Sequence, residues 1–180
     1  MVMKTLNTEK LLVPIYGIAY FVINKGQPIQ EILEFDYLDE KKFYSEILHK
    51  PQEYKREILM LWENMQEFLD KEKIAINGKE THGKVNHVEI LHRGVEEIAT
   101  VLYLITIPEF TPSEGSCIIE SWSEEERAEY DLDAYWIFPK GTEFLEIFSP
   151  MDYDIYDNTL VLWARKGDRV GGYEKIKVRY

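Results

Sequence analysis

Residues 51–73 read PQEYKREILMLWENMQEFLDKEK, and the fold turns on how that stretch is wound. At about 100° per residue, Tyr54, Ile58, Leu61, Trp62, Met65, Phe68 and Leu69 fall on one stripe about 120° wide. Glu53, Lys55, Arg56, Glu63, Gln66, Glu67, Asp70 and Lys71 lie off that stripe. The pattern predicts a long amphipathic helix. Pro51 suits its first turn, where a missing N–H costs no intrahelical bond, and Asn77-Gly78 supplies a stop. So wide an apolar face needs a large surface to cover, and the flanking segments read mostly as strand.

Upstream, Ile15–Ile23 and Ile29–Leu38 flank the turn residues Lys25-Gly26-Gln27-Pro28 and predict a hairpin. In its second strand Ile29, Glu31, Leu33, Phe35 and Tyr37 share one face. Asp39 is placed to cap a short helix over Glu40–His49. Downstream the period changes to two. Val85–His92, Ile98–Ile107 and Ser116–Trp122 are successive strands, and Ser123-Glu124-Glu125-Glu126 reads either as a capping box opening a helical turn or as a polar loop. Ala134–Phe138 with Thr142–Phe148, and Thr159–Arg165 with Tyr173–Arg179, complete two predicted hairpins. The expected fold class is α+β in a single domain over residues 1–180. In it a mostly antiparallel, curved sheet, built from the N-terminal hairpin and a C-terminal meander, packs on the one long helix.

The 180-residue chain is 45% hydrophobic, 13% aromatic and 30% charged, the composition of a folded domain and too apolar for disorder. Its net charge of −12 repels nucleic-acid backbone and anionic membrane, so no nucleic-acid or membrane partner is expected. A single cysteine, Cys117, rules out an internal disulfide and suits a reducing compartment. Met1–Lys10 carries no apolar export segment, and the run Leu11–Ile23, broken by Pro14 and Gly17, is too short to span a bilayer as a helix. The expectation is a soluble cytosolic protein.

Candidate chemistry is sparse. His82, His87 and His92 invite a metal reading, but residues five apart on a strand point to opposite faces, and no metal site is expected. Asp152, Asp154, Asp157 and Asn158 offer oxygen ligands, as do Asp131 and Asp133. An EF-hand register from Asp152 would put Asp157 at the invariant glycine and Trp163 at the bidentate glutamate, so that motif fails. Cys117 enters an apolar strand with no base beside it. There is no Gly-rich phosphate loop and no nucleophile elbow, and no cofactor is expected.

One stretch departs from the acidic background. Arg165, Lys166, Arg169, Lys175, Lys177 and Arg179 stand against only Asp168 and Glu174, and Lys175, Lys177 and Arg179 share a strand face. Such a stripe either binds phosphates or guards an exposed sheet edge and offsets the protein's own acid.

Two functions of different class follow. The first is a binding or assembly protein that forms a homo-oligomer, because Ala134–Phe138 and Leu160–Trp163 are apolar on both strand faces and demand a second cover. The alternative is a small-molecule binder or enzyme whose pocket, between sheet and long helix, is lined by Trp62, Phe68, Trp136 and Trp163. No catalytic motif decides for an enzyme.

Overall fold

A computed structural model describes residues 12–180; Met1–Leu11, on which the reading of the chain's start rests, lies outside the described residues. The predicted hairpin forms from β1 (Val13–Val22) and β2 (Pro28–Leu38). Asp39 fulfils its capping role, since its carboxylate accepts from the backbone N–H groups of Phe43 and Tyr44 at 2.9 and 2.8 Å. The helix it caps, α1, is shorter than expected, Phe43–Ile47. Pro51 opens the long helix α2, Pro51–Lys71.

Next come β3 (Lys73–Ile76) and β4 (Lys79–Thr81), turned at Asn77-Gly78, where both residues have positive φ. Then follow β5 (Lys84–His92), β6 (Ile98–Phe110), β7 (Ser116–Arg127), β8 (Asp131–Ile137), β9 (Glu143–Phe148), β10 (Asp152–Tyr156), β11 (Thr159–Ala164) and β12 (Arg169–Arg179). Ser123–Arg127 is the far end of β7, paired with β12, and not a helical turn.

The α+β expectation is overturned. The described chain is mostly β, 57% strand against 15% helix, and it forms two sheets where one was expected. A seven-stranded sheet runs β10-β11-β8-β1-β2-β6-β5, and a five-stranded sheet runs β4-β3-β7-β12-β9. The two downstream hairpins do not form either: β8 and β11 belong to the larger sheet while β9 and β12 belong to the smaller. Strand β1 pairs in parallel with the distant β8, against the expectation that sequence neighbours pair.

The long helix is one of two covers on the inner face of the larger sheet. Leu61, Met65 and Leu69 pack with Phe35, Tyr37, Val88, Ile90, Val101, Tyr103 and Ile105 at one end. At the other end the smaller sheet supplies Ile74, Ile76, Cys117, Ile119, Ile176 and Val178, which pack on Ile23, Ile29, Ile107, Phe138, Leu160 and Leu162. Strands β2 and β6 feed both clusters, because their alternation keeps one apolar face from end to end.

A polar clamp ties the helix to the sheet. The Gln66 amide donates to the Gly83 carbonyl and its oxygen accepts from the Val85 N–H, each at 3.0 Å. Gly83 lets the helix approach closely, since a Cβ there would sit 3.0 Å from a Leu69 methyl and 3.3 Å from Ile105 and would make those side chains shift. The buried Glu57 carboxylate accepts from the Tyr44 hydroxyl at 3.2 Å, joining the two helices.

Candidate functional site

The inner face of the larger sheet is covered twice over, whereas among the described residues no element covers its outer face. Period-two alternation decides what stands there. With Ala134, Trp136, Leu160 and Leu162 committed inward, Tyr135, Ile137, Val161 and Trp163 must point out. The strand register aligns these side chains into rows. Val161, Tyr135, Tyr20, Ile32 and Leu104 stand opposite one another across β11, β8, β1, β2 and β6. The same register continues this row to Asp154 on β10 and His87 on β5.

A second row reads Trp163, Asp133, Ile18, Glu34 and Leu102, and a third reads Thr159, Ile137, Val22, Gln30 and Thr106. The rings of Tyr20 and Tyr135 stack with centroids 5.2 Å apart and 18° between planes. Leu104, at the β6 end of the central row, is 38% exposed. Strands about 4.8 Å apart make the five-strand patch about 19 Å wide, and three rows about 6.8 Å apart make it about 14 Å tall, or roughly 260 Å² in plan.

Several polar groups on this face are already engaged. The Tyr16 hydroxyl donates to Asp133, and Arg165 reaches the same carboxylate at 3.3 Å. Arg93 bridges to Glu34 and donates to the Thr100 hydroxyl at 2.9 Å, and that hydroxyl donates to Asp36. Burial and the Asp133 carboxylate hold the Tyr16 phenol well above the usual tyrosine range, and burial beside Tyr135 does the same for Tyr20, so both stay neutral. Such a surface offers contact area with a partly satisfied polar margin.

The other candidate residues are scattered. Trp62 is half-buried on α2 against the helix-side core, while Phe68 lies at the exposed edge of its stripe. Trp136 points inward and stacks on Phe21 at 3.9 Å, beside a cavity of about 20 Å³ that holds about one water. Trp163 points the opposite way, so the structure does not bring the three tryptophans together. Lys175, Lys177 and Arg179 share the outer face of the smaller sheet, where Lys175 meets Glu146 at 2.7 Å and Arg179 bridges to Glu143. Two of the three stripe cations are thus paired with carboxylates on β9.

His82 sits against the Glu72 carbonyl at 2.8 Å, His87 lies 3.5 Å from Glu89, and the half-buried ring of His92 has no polar partner. Among the described residues no three His, Cys, Asp or Glu side chains are grouped to hold a metal ion. Cys117 is fully buried, and burial pushes its thiol up. Asp131 accepts from the Lys166 N–H, and Asp154 stays exposed on β10. Among the described residues no helix is long and apolar enough to cross a membrane. No protein-family model matches this chain, and no curated protein matches it.

Proposed function

We propose that this is a binding or assembly protein that works as a homo-oligomer, with the outer face of the seven-stranded sheet as its contact surface. One observation carries the reading: the five-residue apolar row Val161, Tyr135, Tyr20, Ile32 and Leu104, flanked by Trp163, Ile18, Leu102, Ile137 and Val22, on a face that no element among the described residues covers. At roughly 260 Å² in plan, before side-chain relief, it is about a third of the ~800 Å² that each partner contributes to a stable interface, so it forms the apolar centre and the flanking margins supply the rest.

A second copy is the occupant that the charge pattern favours. The central row begins at Asp154 and ends at His87, and Lys84 lies beside His87 on β5. A two-fold axis parallel to the strands sets the acidic β10 margin of one copy, Asp152 and Asp154, over Lys84 on the β5 margin of the other, where His87 already faces Glu89. The exposed Asp154 and Asp152 then gain counter-charges without any change within the monomer. A reducing cytosol suits the lone, buried Cys117 of this assembly.

The test is Leu104→Arg, which puts a charge at the exposed β6 end of the central row without touching either core. In sedimentation velocity at about 20 μM, the parent chain should run as a dimer and the variant as a monomer with an unchanged melting temperature. A parent and a variant that sediment alike, both as dimers, would place the interface elsewhere.

A further inference from the structure

A second concave surface lies on the far side of the molecule, at the rim of the five-stranded sheet. It is a cleft of about 290 Å³ between the end of β9 with the following Ser149-Pro150 and the start of β12, with Glu125 of β7 on its wall. That volume is at the lower bound for small-molecule sites. Its aromatic wall is Phe148 and Tyr173, whose ring centroids are 5.6 Å apart. Tyr173 is held from behind by Trp122 at 5.3 Å and by its hydroxyl, which donates to Glu120 at 2.7 Å. The wall is therefore pre-set.

The cleft owes its shape to a break in the ladder. The pairing of β12 with β7 shifts register between Val170 and Gly172, and Gly171 sits there at φ 78. A Cβ on Gly171 would lie 2.2 Å from the Glu124 carbonyl oxygen, so glycine is required by space as well as by φ. A bulge beside a cavity re-aims side chains, and here it carries Arg169 to the cleft.

Arg169 differs from the other arginines around it. Arg93, Arg165 and Arg179 each bridge to a carboxylate and Arg127, its cross-strand partner, donates to the Gly167 carbonyl, whereas among the described residues the Arg169 guanidinium has neither an ion pair nor a hydrogen bond. Glu125, across the cleft, also has no ion pair among the described residues and lies over Gly172. One free guanidinium beside an aromatic wall recognises a planar anion by a forked hydrogen bond and by stacking. A single carboxylate nearby discriminates against a second negative charge on the guest.

We propose that this cleft binds a small planar aromatic carboxylate, its ring against Phe148 and Tyr173 and its carboxylate on Arg169. The surface is separate from the outer face of the larger sheet, so self-association leaves it open. Calorimetric titration with 2-naphthoate should give saturable 1:1 binding with a Kd of about 1 mM or tighter, on the binding efficiency of small ligands. Arg169→Gln and Phe148→Ala, both at exposed positions, should keep the parent melting curve and each weaken binding at least about tenfold. Naphthyl phosphate, a dianion, should bind more weakly than 2-naphthoate. Absence of saturable heat, equal affinity in the folded Arg169→Gln variant, or tighter binding of the phosphate would each overturn the assignment.

Discussion

Glu31 is the residue whose environment departs furthest from its chemistry. It stands on the inner face of β2, 8% exposed, between Phe21 and Ile105, with no hydrogen bond or ion pair among the described residues. Burial pushes its carboxyl up to about 8, and the nearby Glu72 carboxylate adds to the rise. Glu72 is itself pushed up to about 7 by burial, with Glu174 adding and His82 opposing. Glu174 is raised by burial against the opposing hydrogen bond from Ser149.

A carboxyl with a raised folded pKa is neutral in both states below about pH 4.5, so it costs nothing there. As pH climbs from 4.5 towards 8 the unfolded chain ionises freely while the folded one resists, and stability falls. The protein should therefore melt at a higher temperature at pH 5 than at pH 8.5. Glu31→Gln should raise the pH 8.5 melting temperature by about 3 °C or more and change the pH 4 value by under about 1 °C, as read by calorimetry. An equal effect at both pH values would mean that the carboxyl ionises without penalty. The alternation of β2 already put Glu31 in line with Ile29, Leu33, Phe35 and Tyr37; what the sequence could not show was that no cation comes to meet it.

At the scale of elements, the helix stripe was legible because 3.6-residue periodicity is local information. Leu61, Met65 and Leu69 are buried as their spacing requires, and Leu61 is 1% exposed. Leu61→Ala should cost about 2–5 kcal/mol in chemical denaturation; a loss under about 0.5 kcal/mol would mean that the site is not packed. Nine strands were legible on the same grounds.

Three strands were not, for different reasons. β3 and β4 are too short to show alternation, and β10, Asp-Tyr-Asp-Ile-Tyr, has five exposed residues and reads as an acidic loop. Ser123–Arg127 misled through its capping-box composition, because its pairing with β12 is a non-local fact. Pro139-Lys140-Gly141 has hairpin chemistry, yet the chain uses it to pass from one sheet to the other. The basic stripe on β12 was visible, while the carboxylates of Glu143 and Glu146 that pair with it come from β9 through a register that no sequence spacing encodes.

For the whole molecule, the sequence held one long-range clue. Strands apolar on both faces need two covers, and the inner cover proved to be divided between α2 and the smaller sheet. The demand for an outer cover survives that division, since Tyr135, Val161 and Trp163 still face outward with no layer over them among the described residues. Tyr20, Ile32 and Leu104 join them only through the parallel pairing of β1 with β8 and the order of the sheet, which is why the continuous row could not be read in advance. Apolar rows on a sheet face pack on another such face about 10 Å away, and a second copy supplies one. The most direct measurement is the molar mass of the unmodified chain by static light scattering between about 5 and 100 μM. Burial of the outer sheet face by a second copy predicts a mass of twice the 21.4 kDa chain, falling towards the monomer on dilution, and a constant 21.4 kDa across that range would contradict it.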